Sequence, residues 1–209
     1  MESHPVRFWV DYPDRPLNRL TSAFRFVTII PIAIVAGLLE HANASYQSGG
    51  GSDTWVMAGT GGGAVLAPVV LMLLFREKYP RWWYDWNLEL ARFGNRLTAY
   101  WLLMDDQYPS TDDHQAVHLE YPEVTGPELN RWLPLVKWFL VIPHYFVLLF
   151  LYIAVFFVGI YVWFAILFTG HYPRGAFDFV EGVLRWGNRV VGYAFAMVTD
   201  TYPPFRLAA

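Results

Sequence analysis

Residues 138–173, WFLVIPHYFVLLFLYIAVFFVGIYVWFAILFTGHYP, decide the fold class. These 36 residues contain no Asp, Glu, Lys or Arg, and their only basic side chains are His144 and His171. One bilayer crossing takes about 20 residues. A single helix of this length would measure about 54 Å at about 1.5 Å per residue, well beyond a hydrocarbon core of about 30 Å. The stretch therefore predicts two short spans joined by a tight turn near Val158 and Gly159, or slightly earlier. Upstream, residues 54–75 run for 22 positions without charge and predict another span. Residues 26–39 add 14 uncharged positions, which reach spanning length if the helix begins near Leu20 and Arg25 snorkels to the headgroups.

The composition agrees. Of 209 residues, 55% are hydrophobic, 19% aromatic and 16% charged, against about 25% charge in an average soluble domain. Mean hydropathy is +0.27. So apolar a chain is not disordered. With no cysteine it builds neither a disulfide framework nor a thiolate metal site. A net charge of -3 argues against nucleic acid as a partner. The first apolar run follows Glu2, Asp11 and Asp14, unlike a cleaved leader.

The chain reads as a duplication. Residues 75–109 overlay residues 168–203 with one extra residue in the later copy. Identical positions include Tyr79/Tyr172, Pro80/Pro173, Arg81/Arg174, Asp85/Asp178, Arg92/Arg185, Asn95/Asn188, Arg96/Arg189, Tyr100/Tyr193 and Met104/Met197, and after the insertion Asp106/Asp200. Upstream, Asn18-Arg19 matches Asn130-Arg131, Arg25-Phe26 matches Lys137-Trp138, and Asp11-Tyr12-Pro13 matches Glu120-Tyr121-Pro122. This gives a first unit over residues 1–110, a linker over 111–119 and a second unit over 120–209. The expected fold is an all-α integral membrane protein. It has four transmembrane helices in two tandem parallel repeats, each followed by an interfacial amphipathic helix. All Lys and Arg lie outside residues 26–75 and 138–173, so the positive-inside rule predicts a multi-pass protein with both termini cytoplasmic.

Residues 82–104 predict the first amphipathic helix. Asp85, Glu89, Arg92 and Arg96 share one face, and Asp178, Glu181, Arg185 and Arg189 repeat the stripe in the second copy. The arginines of these helices pair within the helix and pack against the other copy. Alternatively Arg81, Arg92, Arg96, Arg174, Arg185 and Arg189 bind anionic lipid headgroups or a partner, since the guanidinium fork suits phosphate. Residues 6–12 and 116–121 are rich in β-branched and aromatic residues and end before Pro, so they predict short strands and a small cytoplasmic β element.

Little in the sequence carries chemistry. Asp105, Asp106, Asp112, Asp113, His114, His118 and Glu120 resemble metal-ligand material but read as a solvated linker. His144 is an intramembrane polar residue. It either bonds to backbone freed by Pro143 or ligates a cofactor. Gly61-Gly62-Gly63 lacks the Lys-Ser/Thr of a phosphate loop, and Gly59/Gly63 suit close helix packing. Asn43-Ala44-Ser45 is a sequon that matters only in a secretory pathway. No catalytic residue, metal or cofactor is expected.

The pattern HPVRFWVDYP…NRL…IP, followed by KWFLVIPHYFVLLF…WFAILFTGHYPRGAFDFVEGVLRWGNRVVGY…TDTYPPF, resembles a prokaryotic membrane family described as domain of unknown function 4389. The resemblance spans nearly the whole chain and is strongest in the second unit. It implies a bacterial inner-membrane location and supplies no activity. The expected role is that of a non-enzymatic accessory or scaffold protein, whose partners are membrane lipids and other membrane-protein subunits or itself. The alternatives are lipid or small-amphiphile handling between the two units, or a cofactor carrier using His144.

Overall fold

The computed structural model describes residues 4–34, 72–73, 76, 79–110, 113, 115–124, 129–130 and 132–208. Strand β1 (Arg7–Val10) pairs antiparallel with β2 (Val117–Glu120), with Phe8 opposite Leu119 and Val10 opposite Val117. The alternation expected of a half-buried strand is present: Phe8, Val10, Val117 and Leu119 are buried. On the outer face Trp9 stacks on His118 at 4.8 Å. The small β element is thus an antiparallel pair, and β2 begins inside the stretch read as linker.

Helix α1 (Arg19–Ala23) starts where the Asn18 side chain accepts from the Leu20 and Thr21 amides. Helix α2 (Arg25–Thr28) follows directly, as part of a short apolar helix over Arg25–Ile34. Helices α3 (Arg81–Trp101) and α6 (Arg174–Ala194) are 21 residues each and begin after Pro80 and Pro173, whose fixed φ suits the helix entrance. Both end in a tight reversal through a residue at positive φ, Leu103 (65°) and Met197 (56°). The closing bonds run from Met104 N–H to the Ala99 carbonyl and from Val198 N–H to the Gly192 carbonyl. Leu103 therefore corresponds to Met197. The extra residue lies before this turn, and the identity of Met104 with Met197 does not mark equivalent places.

Helices α4 (Leu133–Leu140) and α5 (Ile142–Thr169) correct the expected fold class. The turn expected near Val158 and Gly159 is absent, because α5 runs unbroken for 28 residues. The chain breaks upstream at Val141 instead. Pro143 there removes an amide and crowds the preceding turn. Gly159 lacks only a side chain, and one glycine does not stop a helix. Gly170, at φ 79°, closes α5 in the left-handed conformation that glycine tolerates. Among the described residues one helix, Ile142–Thr169, is long and apolar enough to cross a membrane. The four-span arrangement is overturned by this single candidate. Residues 35–71, with most of the stretch 54–75, Asn43, Gly59 and Gly61 to Gly63, lie outside the described residues.

The expected interfacial helix of the second unit is also corrected. Helix α6 is mostly buried, since it packs on α5 on one side and on β1 on the other, while α3 packs on β2. The core gathers Val6, Phe8 and Leu119 with Phe177, Val180 and Val183. A smaller cluster joins Leu148 to Trp186, Val190 and Tyr193. The molecule is thus layered: an apolar helix, an amphipathic helix layer and a β pair.

Candidate functional site

Four arginines of the amphipathic helices, Arg92, Arg96, Arg185 and Arg189, point toward main-chain carbonyls. Arg92 Nε donates to the Leu119 carbonyl at 3.2 Å and its fork pairs with Glu89. Arg185 Nε donates to the Phe8 carbonyl at 2.9 Å, Nη1 to the Leu207 carbonyl, and Nη2 pairs with Glu181. Arg96 donates to the Ser110 carbonyl, and Arg189 to those of Arg206 and Ala208. Burial, with the Arg185 and Arg206 charges nearby, pushes Arg189 down to about 10. Arg81 and Arg174 are exposed, and Arg174 lies 4.2 Å over the Tyr12 ring. Sequence reasoning saw the arginine stripe but not its acceptors, which come from remote segments.

It also missed two buried cations. Arg25 in α2 is 2% exposed and donates to the Tyr100 carbonyl at 2.7 Å and to the Asp105 carbonyl. Its guanidinium lies 4.1 Å from the Tyr100 ring centroid. Lys137 in α4 is fully buried and donates to the Thr199 carbonyl at 2.7 Å. Its ammonium pairs with Asp200 at 2.7 Å and sits 4.9 Å from the Tyr193 ring. Burial pushes both cations below their ordinary pKa, and the nearby acids pull the other way. The available signal was the matched pair Arg25/Lys137 beside the matched pair Tyr100/Tyr193.

Where α3 and α6 meet, Asn95 Nδ2 donates to Asn188 Oδ1 at 2.7 Å and Asn188 Nδ2 donates to Asn95 Oδ1 at 2.8 Å. Each Nδ2 also bonds the carbonyl four residues back.

His144 is fully buried. The Trp186 indole donates to its Nδ1 at 3.1 Å, and Phe205 stacks on the ring at 4.0 Å. The indole is donor only, so Nδ1 is the acceptor and the ring is the neutral Nε2–H tautomer. Nε2 has no partner among the described residues. His118 pairs with Asp11 at 2.9 Å. Among the described residues no three His, Asp or Glu side chains gather as metal ligands.

The largest chemical feature is apolar surface. The most hydrophobic window of α5 has a hydropathy of 2.6 and only 17% of it is buried. Phe146, Phe150, Phe157 and Phe168 are each more than 60% exposed. Beside it, a cleft of about 540 Å³ is lined by Phe26, Trp101, Leu102, Val155, Phe156 and Trp163, with hydroxyls, among the described residues, from Thr98 and Tyr152 alone. Soluble monomers seldom leave a contiguous apolar face of this kind open to water.

Residues 132–206 match the family described as a domain of unknown function (DUF4389). The match covers α4 to the loop after α6, a narrower stretch than the resemblance read from the whole chain. No curated protein and no solved structure matches the chain significantly. The DUF4389 match places the uncovered helix α5, the Lys137 clamp and the His144 nest in one related segment.

Proposed function

We propose that the protein is a non-enzymatic membrane accessory or scaffold. In this reading it is built from two related units with both termini cytoplasmic, in a bacterial inner membrane, and binds another membrane subunit or a second copy. The observation that carries this is the division of labour in the second unit. Nearly every buried charge serves a main-chain carbonyl, while the uncovered face of α5 carries no charge at all. Groups committed to holding loops are unavailable for proton transfer or nucleophilic attack, and an uncharged aromatic face suits lipid or another apolar surface. Crosslinking in native membranes tests this reading. A membrane-bound chain with a discrete adduct, to itself or to one partner, is expected. A chain found in the soluble fraction, or a solitary monomer at every crosslinker dose, overturns it.

The cleft favours a second reading, in which an acyl chain or other small amphiphile binds between the units. Phe26, Trp101 and Leu102 line it from the first unit and Val155, Phe156 and Trp163 from the second. Gly159 opens into the cleft, since a Cβ there would meet only Leu102 at 3.9 Å. Gly159→Leu fills that space. Loss of co-purifying lipid in native mass spectrometry is expected, and unchanged lipid retention removes this reading.

A further inference from the structure

The side chains of α5 sort by angle around the helix. At about 100° per residue, the buried positions His144, Leu148, Val155, Val162 and Ile166 fall on one narrow stripe. The opposite sector, about 120° wide, holds only Phe, Ile and Leu, from Ile142 and Phe146 through Phe157 to Phe168. The aromatics with a polar tip all stand at the margins of that sector. Tyr145, Tyr152 and Trp163 flank one side and Tyr161 the other. A helix crossing a bilayer gathers such residues at its two ends, at headgroup depth. In α5 Tyr145 stands toward one end and Tyr161 and Trp163 toward the other, but Tyr152 stands near the middle, where a crossing helix would place it at hydrocarbon depth.

The neighbours of α5 give the same orientation. Helix α6 returns antiparallel along it. Trp138 Nε1 donates to the Ala194 carbonyl beyond one end, a Cβ at Gly187 would strike the Tyr152 hydroxyl near the middle, and a turn through Gly170 and Pro173 joins the other. On its far side α6 carries Glu181 and Arg185, which bond to the Val10 amide and the Phe8 carbonyl of β1. An upright α5 would drag Glu181, Arg185 and the β pair to hydrocarbon depth. Charges held at that depth are costly and rare. Laid flat, the same helix puts its Phe, Ile and Leu sector into the acyl layer, and α6 and the β pair face water.

We infer that α5 does not cross the bilayer but lies in one leaflet, its Phe146–Phe157–Phe168 line facing the acyl chains. This rests on the membrane reading above and states how the membrane is held. The chain has no cysteine, so single reporters are clean. Phe146→Cys, Phe157→Cys and Phe168→Cys stand 11 residues apart on one line and span about 33 Å. Each is labelled with a fluorophore and reconstituted into phosphatidylcholine–phosphatidylglycerol vesicles brominated at defined acyl depths, with Trp9→Cys as the water-facing control. The expected result is strong quenching at one common depth for all three stations and none at Trp9. A depth that changes steadily from one membrane face to the other between Phe146 and Phe168 overturns the in-plane orientation and leaves the membrane reading intact. No quenching at any station overturns both. If Phe157→Cys does not fold, Ile153→Cys and Ile160→Cys, also exposed, take its place.

Discussion

The clamp around Arg25 and the clamp around Lys137 solve one problem with different cations. Each follows a 21-residue amphipathic helix whose last carbonyls lack intrahelical partners. In each a buried cation lies over a tyrosine of that helix and donates to one carbonyl of the reversal beyond it, Asp105 or Thr199. Arg25 spreads one charge over two carbonyls, Tyr100 and Asp105. Lys137 is a point charge that serves one carbonyl and takes a carboxylate, Asp200, as its counter-ion. The weakly hydrated guanidinium is buried without a carboxylate in contact, while the strongly hydrated ammonium of Lys137 has one. The second clamp should therefore be the more brittle.

Lys137→Ala is expected to give the largest loss, about 3–5 kcal/mol, because it leaves the partly buried Asp200, held otherwise by the Asn130 amide, without its counter-ion. Denaturant titration in micelles measures it, and a loss below that of Arg25→Ala would break the comparison. Arg25→Ala should cost about 1.5–3 kcal/mol, the range for hydrogen bonds from a charged donor. Arg25→Lys sharpens the contrast, since the lysine finds two carbonyls but no paired carboxylate and should recover little of that loss. Asn95→Leu, at the contact between the two clamped helices, should cost about 1–3 kcal/mol by leaving Asn188 Oδ1 without its donor. Restoration in an Asn95→Leu/Asn188→Leu double variant would show that the cost is the unmatched partner.

The smallest effect is a pH slope at the second clamp. His4 donates from Nε2 to the Thr201 carbonyl, close to Thr199 and Asp200, and its Nδ1 accepts from the Val6 amide. Burial, the largest cause, holds it below its ordinary value of 6.5. The unfolded chain then takes up the proton first as pH falls, so stability is full above about 6.5 and is lost between there and the folded-state value. Equilibrium unfolding from pH 7.5 to 5 should show this slope in the parent and a flatter one in His4→Gln.

These clamps mark where the sequence was readable. Strand alternation, the Pro-led amphipathic helices and the charge-free stretch are local patterns and emerged as β1, β2, α3, α6 and α5. The division of that stretch was not readable from length. Apolar residues carry no signal for where a helix stops, and Pro143 rather than Gly159 set the break. Arg25 read as a residue reaching for headgroups, whereas it turns inward. Its acceptors, the carbonyls of Tyr100 and Asp105, lie 75 and 80 residues away, and a carbonyl has no letter in a sequence. The same reason hid the tasks of Arg92 and Arg185. Helix α6 read as interfacial because its amphipathic pattern is the same whether lipid or α5 covers the apolar side.

The contact between Asn95 and Asn188 has a consequence for recognition. Each amide offers one donor and one acceptor to an identical group that returns the same pair. Neither side distinguishes the other from a copy of itself. Such reciprocity is the grammar of an isologous interface, in which one surface serves as its own complement. Here both speakers belong to a single chain, so the handshake by which two subunits would find each other is closed within one molecule.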